Sequence, residues 1–145
     1  MQEYQKIQGK IKAAVFFERA AAKILRDMRE IIFLGKTPYL SLSIQWFKGR
    51  ELFYYSVGSN QVFLYDGSNY RLLKTRSGTV DFAGGMTAGM ITRGVSEAFR
   101  EKEMLAYLCG KEHPYDKAQR MILGVKQKNR KMARTAAILF IEGCL

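Results

Sequence analysis

Three clusters of turn-forming residues, Lys48-Gly49, Gly58-Ser59-Asn60 and Asp66-Gly67-Ser68-Asn69, divide residues 38–76 into short runs in which apolar and polar side chains alternate. Glycine supplies positive φ, and Asn, Asp and Ser side chains bond the nearby backbone, so such clusters close hairpins and interrupt helices. The stretch therefore predicts a four-stranded antiparallel meander. In its first strand Leu40, Leu42, Ile44 and Trp46 alternate with Ser41, Ser43 and Gln45, the period-two pattern of a sheet with one packed and one wetter face. The later strands, Leu52 to Val57, Gln61 to Tyr65 and Tyr70 to Thr75, set Phe53 and Tyr55 against Tyr54, and Phe63 and Tyr65 against Val62 and Leu64. Large side chains thus point both ways. Helices must cover parts of both faces, or an aromatic patch stays open.

The flanks carry helical periodicity. From Tyr4 to Leu34 the residues Tyr4, Ile7, Ile11, Ala14, Val15, Ala21, Ala22, Leu25, Met28 and Ile32 fall on one side of a wheel, with Lys12, Arg19, Lys23, Arg26 and Glu30 opposite. Gly35 is placed to cap this helix and Pro38 to stop it. After the sheet, a glycine-rich lead-in, Gly84-Gly85-Met86-Thr87-Ala88-Gly89, reads as a tight turn opening a helix over 86–109, bounded by Gly110 and Pro114. A last helix is expected over 115–143, with Ala118, Met121, Ile122, Val125, Met132, Ala133, Ala136 and Phe140 as its buried stripe. The predicted class is α+β: a long N-terminal helix (4–34), a four-stranded antiparallel meander (38–76), then two or three helices packed on the sheet.

A chain of 145 residues, 48% hydrophobic, suits one domain spanning 1–145. Its 24 Lys and Arg outnumber 13 Asp and Glu, and a net charge of +11 favours polyanionic partners. Only Cys109, Cys144 and His113 offer soft metal ligands, so neither a structural zinc site nor any other metal or cofactor is expected. The N-terminus lacks the pattern of a secretory signal, and no apolar run reaches the length of a membrane span. A cytoplasmic protein with two free, buried thiols is the expectation, without membrane contact.

The strongest local signal is one-sided charge. Lys117, Arg120, Lys126, Lys128, Arg130, Lys131 and Arg134 lie opposite the last helix's apolar stripe, with no acid from Lys117 to Thr135. Interleaved Glu and Lys would stabilise a solvated helix, whereas like charges cost a few tenths of a kcal/mol per pair, about what each Glu–Lys pair would gain. A phosphate backbone along the face would turn that repulsion into binding. Arg71, Lys74 and Arg76, beside Tyr54 and Tyr65 on the sheet, extend the predicted nucleic-acid surface, the rings stacking on bases unless they are core. Paired acids, a metal cluster, a catalytic triad and nucleotide fingerprints are all missing from the sequence pattern, so the chain is not expected to be an enzyme. The resulting expectation is a small basic RNA- or DNA-binding protein. The alternative is an interaction module, an inhibitor, adaptor or assembly factor, docking on an acidic protein or ribonucleoprotein, with self-association through the first helix or the sheet edges as a further expectation.

Overall fold

The turn clusters close hairpins where their chemistry demands it. In the computed structural model, which describes residues 2–32, 41–133 and 136–143, the class is α+β. Strand β1 (Leu42–Lys48) turns through Gly49 and Arg50 into β2 (Glu51–Val57), with Lys48 opposite Glu51. Gly49 sits at φ 60°, the left-handed region that a two-residue hairpin loop needs at its first position. β3 (Gln61–Tyr65) and β4 (Tyr70–Leu73) close across Asp66-Gly67-Ser68-Asn69. There the Asp66 carboxylate accepts the backbone N–H groups of Asn69 at 2.7 Å and Ser68 at 2.9 Å. These bonds favour the charged form and hold the carboxyl below its ordinary range.

The strands do not form one meander. The chain divides into two compact units, Met1–Gly58 with Thr75–Asp81, and Ser59–Lys74 with Phe82–Leu145. The first holds helix α1 (Gln2–Ile32) and an antiparallel sheet in the order β1-β2-β5, where β5 spans Ser77–Asp81. The second holds a sheet in the order β4-β3-β6-β7, with β6 at Thr87–Ile91 and β7 at Ile138–Glu142. Four helices belong to it: α2 (Arg93–Ala98), α3 (Glu101–Leu108), α4 (Pro114–Lys128) and α5 (Arg130–Ala133).

In the first unit Ala13, Phe17 and Ala21, spaced by four, form the buried line of α1 against Phe53 and Tyr55. Of the expected stripe Ala21 is buried and Ala14 half-buried, but Val15 and Ala22 are exposed, and Phe17, which was not in it, is the large buried residue; the side chains of Tyr4, Ile7, Ile11, Leu25, Met28 and Ile32 lie outside those described. The run Ala13-Ala14-Val15-Phe16-Phe17 is apolar all round, so periodicity could not fix the phase there. Tyr55 buries its ring completely and keeps its hydroxyl paired by accepting from Arg76 Nη2 at 2.8 Å. Arg76 Nη2 also donates to Glu18 Oε2 at 3.2 Å.

In the second unit Phe63, Tyr65, Ile91, Val95, Phe99, Met104, Leu108, Met121 and Val125 make one core. Each large side chain so buried stabilises by roughly 1.5–3 kcal/mol before ordering entropy is counted. Two expected helices are corrected here. Residues 87–91 form a strand, with Gly89 opposite Phe63, and the helix expected over 86–109 is instead two short ones separated by extended Phe99 and Arg100. The last helix stops at Lys128, where Asn129 is extended at φ −157° and ψ 105°. The apolar residues beyond it, Ile138-Leu139-Phe140-Ile141, pair with β6 as a strand, consistent with their β-branched and aromatic content.

Candidate functional site

Helix α4 shows why its phase was readable. Pro114 occupies the first turn, the His113 ring accepts the Tyr115 N–H at 3.2 Å, and Asp116 sits near the positive end of the helix dipole. Met121 and Val125 are fully buried. Gly124 lets the neighbouring rings approach, since a Cβ there would run into the Tyr107 hydroxyl and lie 3.0 Å from Phe99 Cζ.

The cations opposite do not make a continuous free face. Lys117 is buried, a correction to its expected exposure, and its Nζ donates to Glu142 Oε1 at 2.6 Å and Leu108 O at 3.2 Å. Arg120 pairs with Glu112. Lys128 pairs with Glu103, donates to Ala98 O at 2.9 Å and lies over the Phe99 ring. Hydrogen bonding from Lys128 is the leading cause that holds the Glu103 carboxyl below its ordinary range. Lys126, Arg130 and Lys131 are exposed, and Arg134 lies outside the described residues. Acids distant in sequence thus neutralise part of the charge that a helical wheel leaves unopposed.

The sheet residues are likewise separated by the fold. Tyr54 and Tyr65 are only 5% and 7% exposed, so neither can stack on a base, and both belong to the buried set. The Tyr54 hydroxyl bonds that of Thr75, and the Tyr65 hydroxyl donates to Gly67 O at 2.9 Å. Arg76 is committed to Tyr55 and Glu18. Arg71 and Lys74 remain exposed beside a cavity of about 350 Å³ in the second unit, also lined by Gln61, Tyr70, Ser96 and Glu101 over a floor that includes Ile91, Phe99 and Met104. Burial, and secondarily the charge of Glu101, pushes the Tyr70 phenol up to about 12, so it stays protonated and able to donate. Sequence reading had grouped Arg71 and Lys74 with a stacking surface. Cys109, expected to be buried, is exposed and free, and Cys144 lies outside the described residues.

No group of three or more His, Cys, Asp or Glu among the described residues could hold a metal ion. The carboxylates are dispersed instead, Glu18, Asp27, Glu97, Glu103, Glu112 and Glu142 each pairing with a different cation. No helix among the described residues is long and apolar enough to cross a membrane.

No family model matches the sequence, and no curated protein matches it. Solved structures do match the fold. The chain superposes on PppA, a key regulatory component of the type VI secretion system in Pseudomonas aeruginosa, with a TM-score of 0.67 at 10% identity, covering 79% of this chain and 62% of that one. The serine/threonine phosphatase of S. agalactiae gives 0.65 at 12% identity, covering 79% and 65%. The phosphatase domain of SpoIIE, a cell fate determinant of Bacillus subtilis, gives 0.60 at 14% identity, covering 83% and 65%. The fold is that of serine/threonine phosphatases. The chain spans less than two thirds of each of these structures. This similarity overturns the expectation of a nucleic-acid-binding protein or acidic-partner module and the expectation that the chain is not of an enzyme type. Charge pattern and missing motifs led to both. Neither signal reports backbone topology, which is where the relationship lies.

Proposed function

We propose that the chain is a phosphatase-type domain that engages phosphorylated serine and threonine side chains of proteins. The observation that supports this is the agreement of fold over 72–83% of the chain with four solved structures, among them serine/threonine phosphatases. Fold alone does not fix function, so the residues must be weighed beside it. Many phosphatases use paired metal ions held largely by carboxylates to activate water and clamp the phosphoryl oxygens. The described residues do not fit such a centre, because their carboxylates are dispersed among separate ion pairs and turns.

What this chain's own residues support is recognition of the phosphorylated group. A phosphate monoester carries close to two negative charges at neutral pH and several strong acceptor oxygens, which suits the basic balance of +11. A cytoplasmic setting, with Cys109 a free thiol, is part of the proposal. The test is fluorescence anisotropy with one labelled peptide, phosphorylated on threonine or unmodified, and a single-stranded RNA of matched charge. The phosphopeptide should bind at least about tenfold more tightly than its unmodified form, as loss of charge-assisted bonds costs roughly 1.5–3 kcal/mol. Equal binding of both peptides, with RNA the preferred ligand, would overturn the reading.

A further inference from the structure

Two large aromatic side chains of the first unit remain in water. Phe16 on α1 is 63% exposed and Trp46 on β1 is 43% exposed, although each touches a buried ring, Phe17 beside Phe16 and Phe53 with its centroid 5.3 Å from that of Trp46. Between them lies a cavity of about 560 Å³, lined by Lys12, Phe16, Phe17, Ile44, Gln45 and Trp46. We propose that this cavity binds a small amphiphilic carboxylate, an alkyl chain that ends in an acid. Such a ligand lies outside the phosphatase-type reading, and the two can fail separately.

The lining residues share one space because of their spacing. Lys12 and Phe16 are four apart and therefore neighbours on one face of α1. Ile44 and Trp46 alternate onto the same face of β1, opposite Tyr55 and Phe53, the two sheet residues that α1 covers. Gln45 lies between them, and as its side chain alternates to the other face it borders the cavity through its backbone. One helical turn, about 6 Å, separates Lys12 from Phe16, and Ile44 lies about 7 Å from Trp46 along the strand. A short alkyl chain spans walls of that length, and the volume is in the range that holds small organic ligands. Its burial would remove Phe16, Ile44 and Trp46 from water. Lys12 is the one charged residue among the described residues that line the space. It is exposed, and its ammonium forms no ion pair or hydrogen bond with another described residue. Glu18 lies about 200° around the helix from Phe16 and is engaged by Arg76, while Glu51 stands opposite Lys48 at the hairpin end of the sheet. One ammonium matches the single charge of a carboxylate. A phosphate dianion calls for several donors, and a cationic amphiphile would be repelled by Lys12.

Trp46 is the only tryptophan in the sequence, so its emission reports on the cavity directly. The experiment titrates the full chain with decanoate, decanol and decylamine at neutral pH, each below the concentration at which it aggregates, with thermal melts confirming that each variant folds. Decanoate should move the Trp46 emission to shorter wavelength, saturate at one equivalent and bind about three- to fivefold more tightly than decanol, the gain an exposed ion pair supplies. Decylamine should bind more weakly than either. Lys12→Gln should bring decanoate to the level of decanol and change decanol little, whereas Phe16→Ser should weaken both about threefold or more. Lys126→Gln, which removes the same charge from α4, should leave all three ligands unchanged. A Trp46 emission that stays constant, or that never saturates, with every ligand would overturn the cavity as a binding site. Equal affinity for the acid and the amine, or an acid preference that survives Lys12→Gln, would overturn the assignment to a carboxylate. None of these results alters the expected preference for a phosphopeptide.

Discussion

Helices α1 and α4 are both amphipathic on a wheel, yet they are held in different ways. α1 runs 31 residues, and among its described side chains the buried contacts come from Ala13, Phe17 and Ala21, with Val15 and Phe16 left exposed. α4 has 15 residues and seats Met121 and Val125 at full burial, with Gly124 pressed against Phe99 and Tyr107 and Lys117 tied to Glu142. What holds a helix is the volume it inserts into a core, and among the described side chains α1 buries one large residue, Phe17, where α4 buries Met121 and Val125.

The contrast is sharpest if single contacts are removed. Val125→Asp places an unpaired charge in the core of the second unit and should destabilise by about 4 kcal/mol or more, read as loss of the cooperative melt. Phe17→Ala should cost about 3 kcal/mol, because removing this buried ring of α1 leaves a cavity against Tyr55. Were the two substitutions equally mild in chemical denaturation, the distinction between the helices would fail. Lys117→Met should cost about 2 kcal/mol, less than a fully buried pair, since Glu142 retains some solvent after losing its partner. Phe16→Ser, by contrast with Phe17→Ala, should shift the melting temperature little, as Phe16 is 63% exposed.

Acid should act more locally. Asp66 has its carboxyl held below the ordinary 3.8, chiefly by the Asn69 N–H and then the Ser68 N–H. A depressed folded value contributes stability that is fully present above the unfolded value and lost as pH falls through the lower folded one. Amide shifts of Ser68 and Asn69 should therefore move together below pH 3.8, before the core resonances of Phe63 and Val125 change. Simultaneous movement of turn and core would show that the turn has no separate titration.

Much of the local structure was legible because its signals are local. β1 to β4 lie where the turn clusters place them, and the inward phase of Met121 and Val125 follows from four-residue spacing bounded by Pro114. Pairing between distant segments was not legible. Thr87-Ala88-Gly89-Met90-Ile91 satisfies a helical pattern as readily as a strand pattern, and only β3 on one side and β7 on the other make it the inner strand of a sheet. The same holds for the candidate site. Arg71 and Lys74 were visible as cations, but the presence of Ser96 and Glu101 around the cavity that they line depends on helices that pack from beyond residue 90. Lys117 looked like one more surface cation because Glu142, its partner, is 25 residues away.

The proposed recognition of a phosphorylated side chain by this chain is tested most directly by the ratio of two dissociation constants. One peptide, titrated into the native chain with and without a single threonine phosphate at about 0.15 M salt, keeps every other contact the same. The account predicts a ratio of at least about ten in favour of the phosphorylated form. A ratio near one would contradict it.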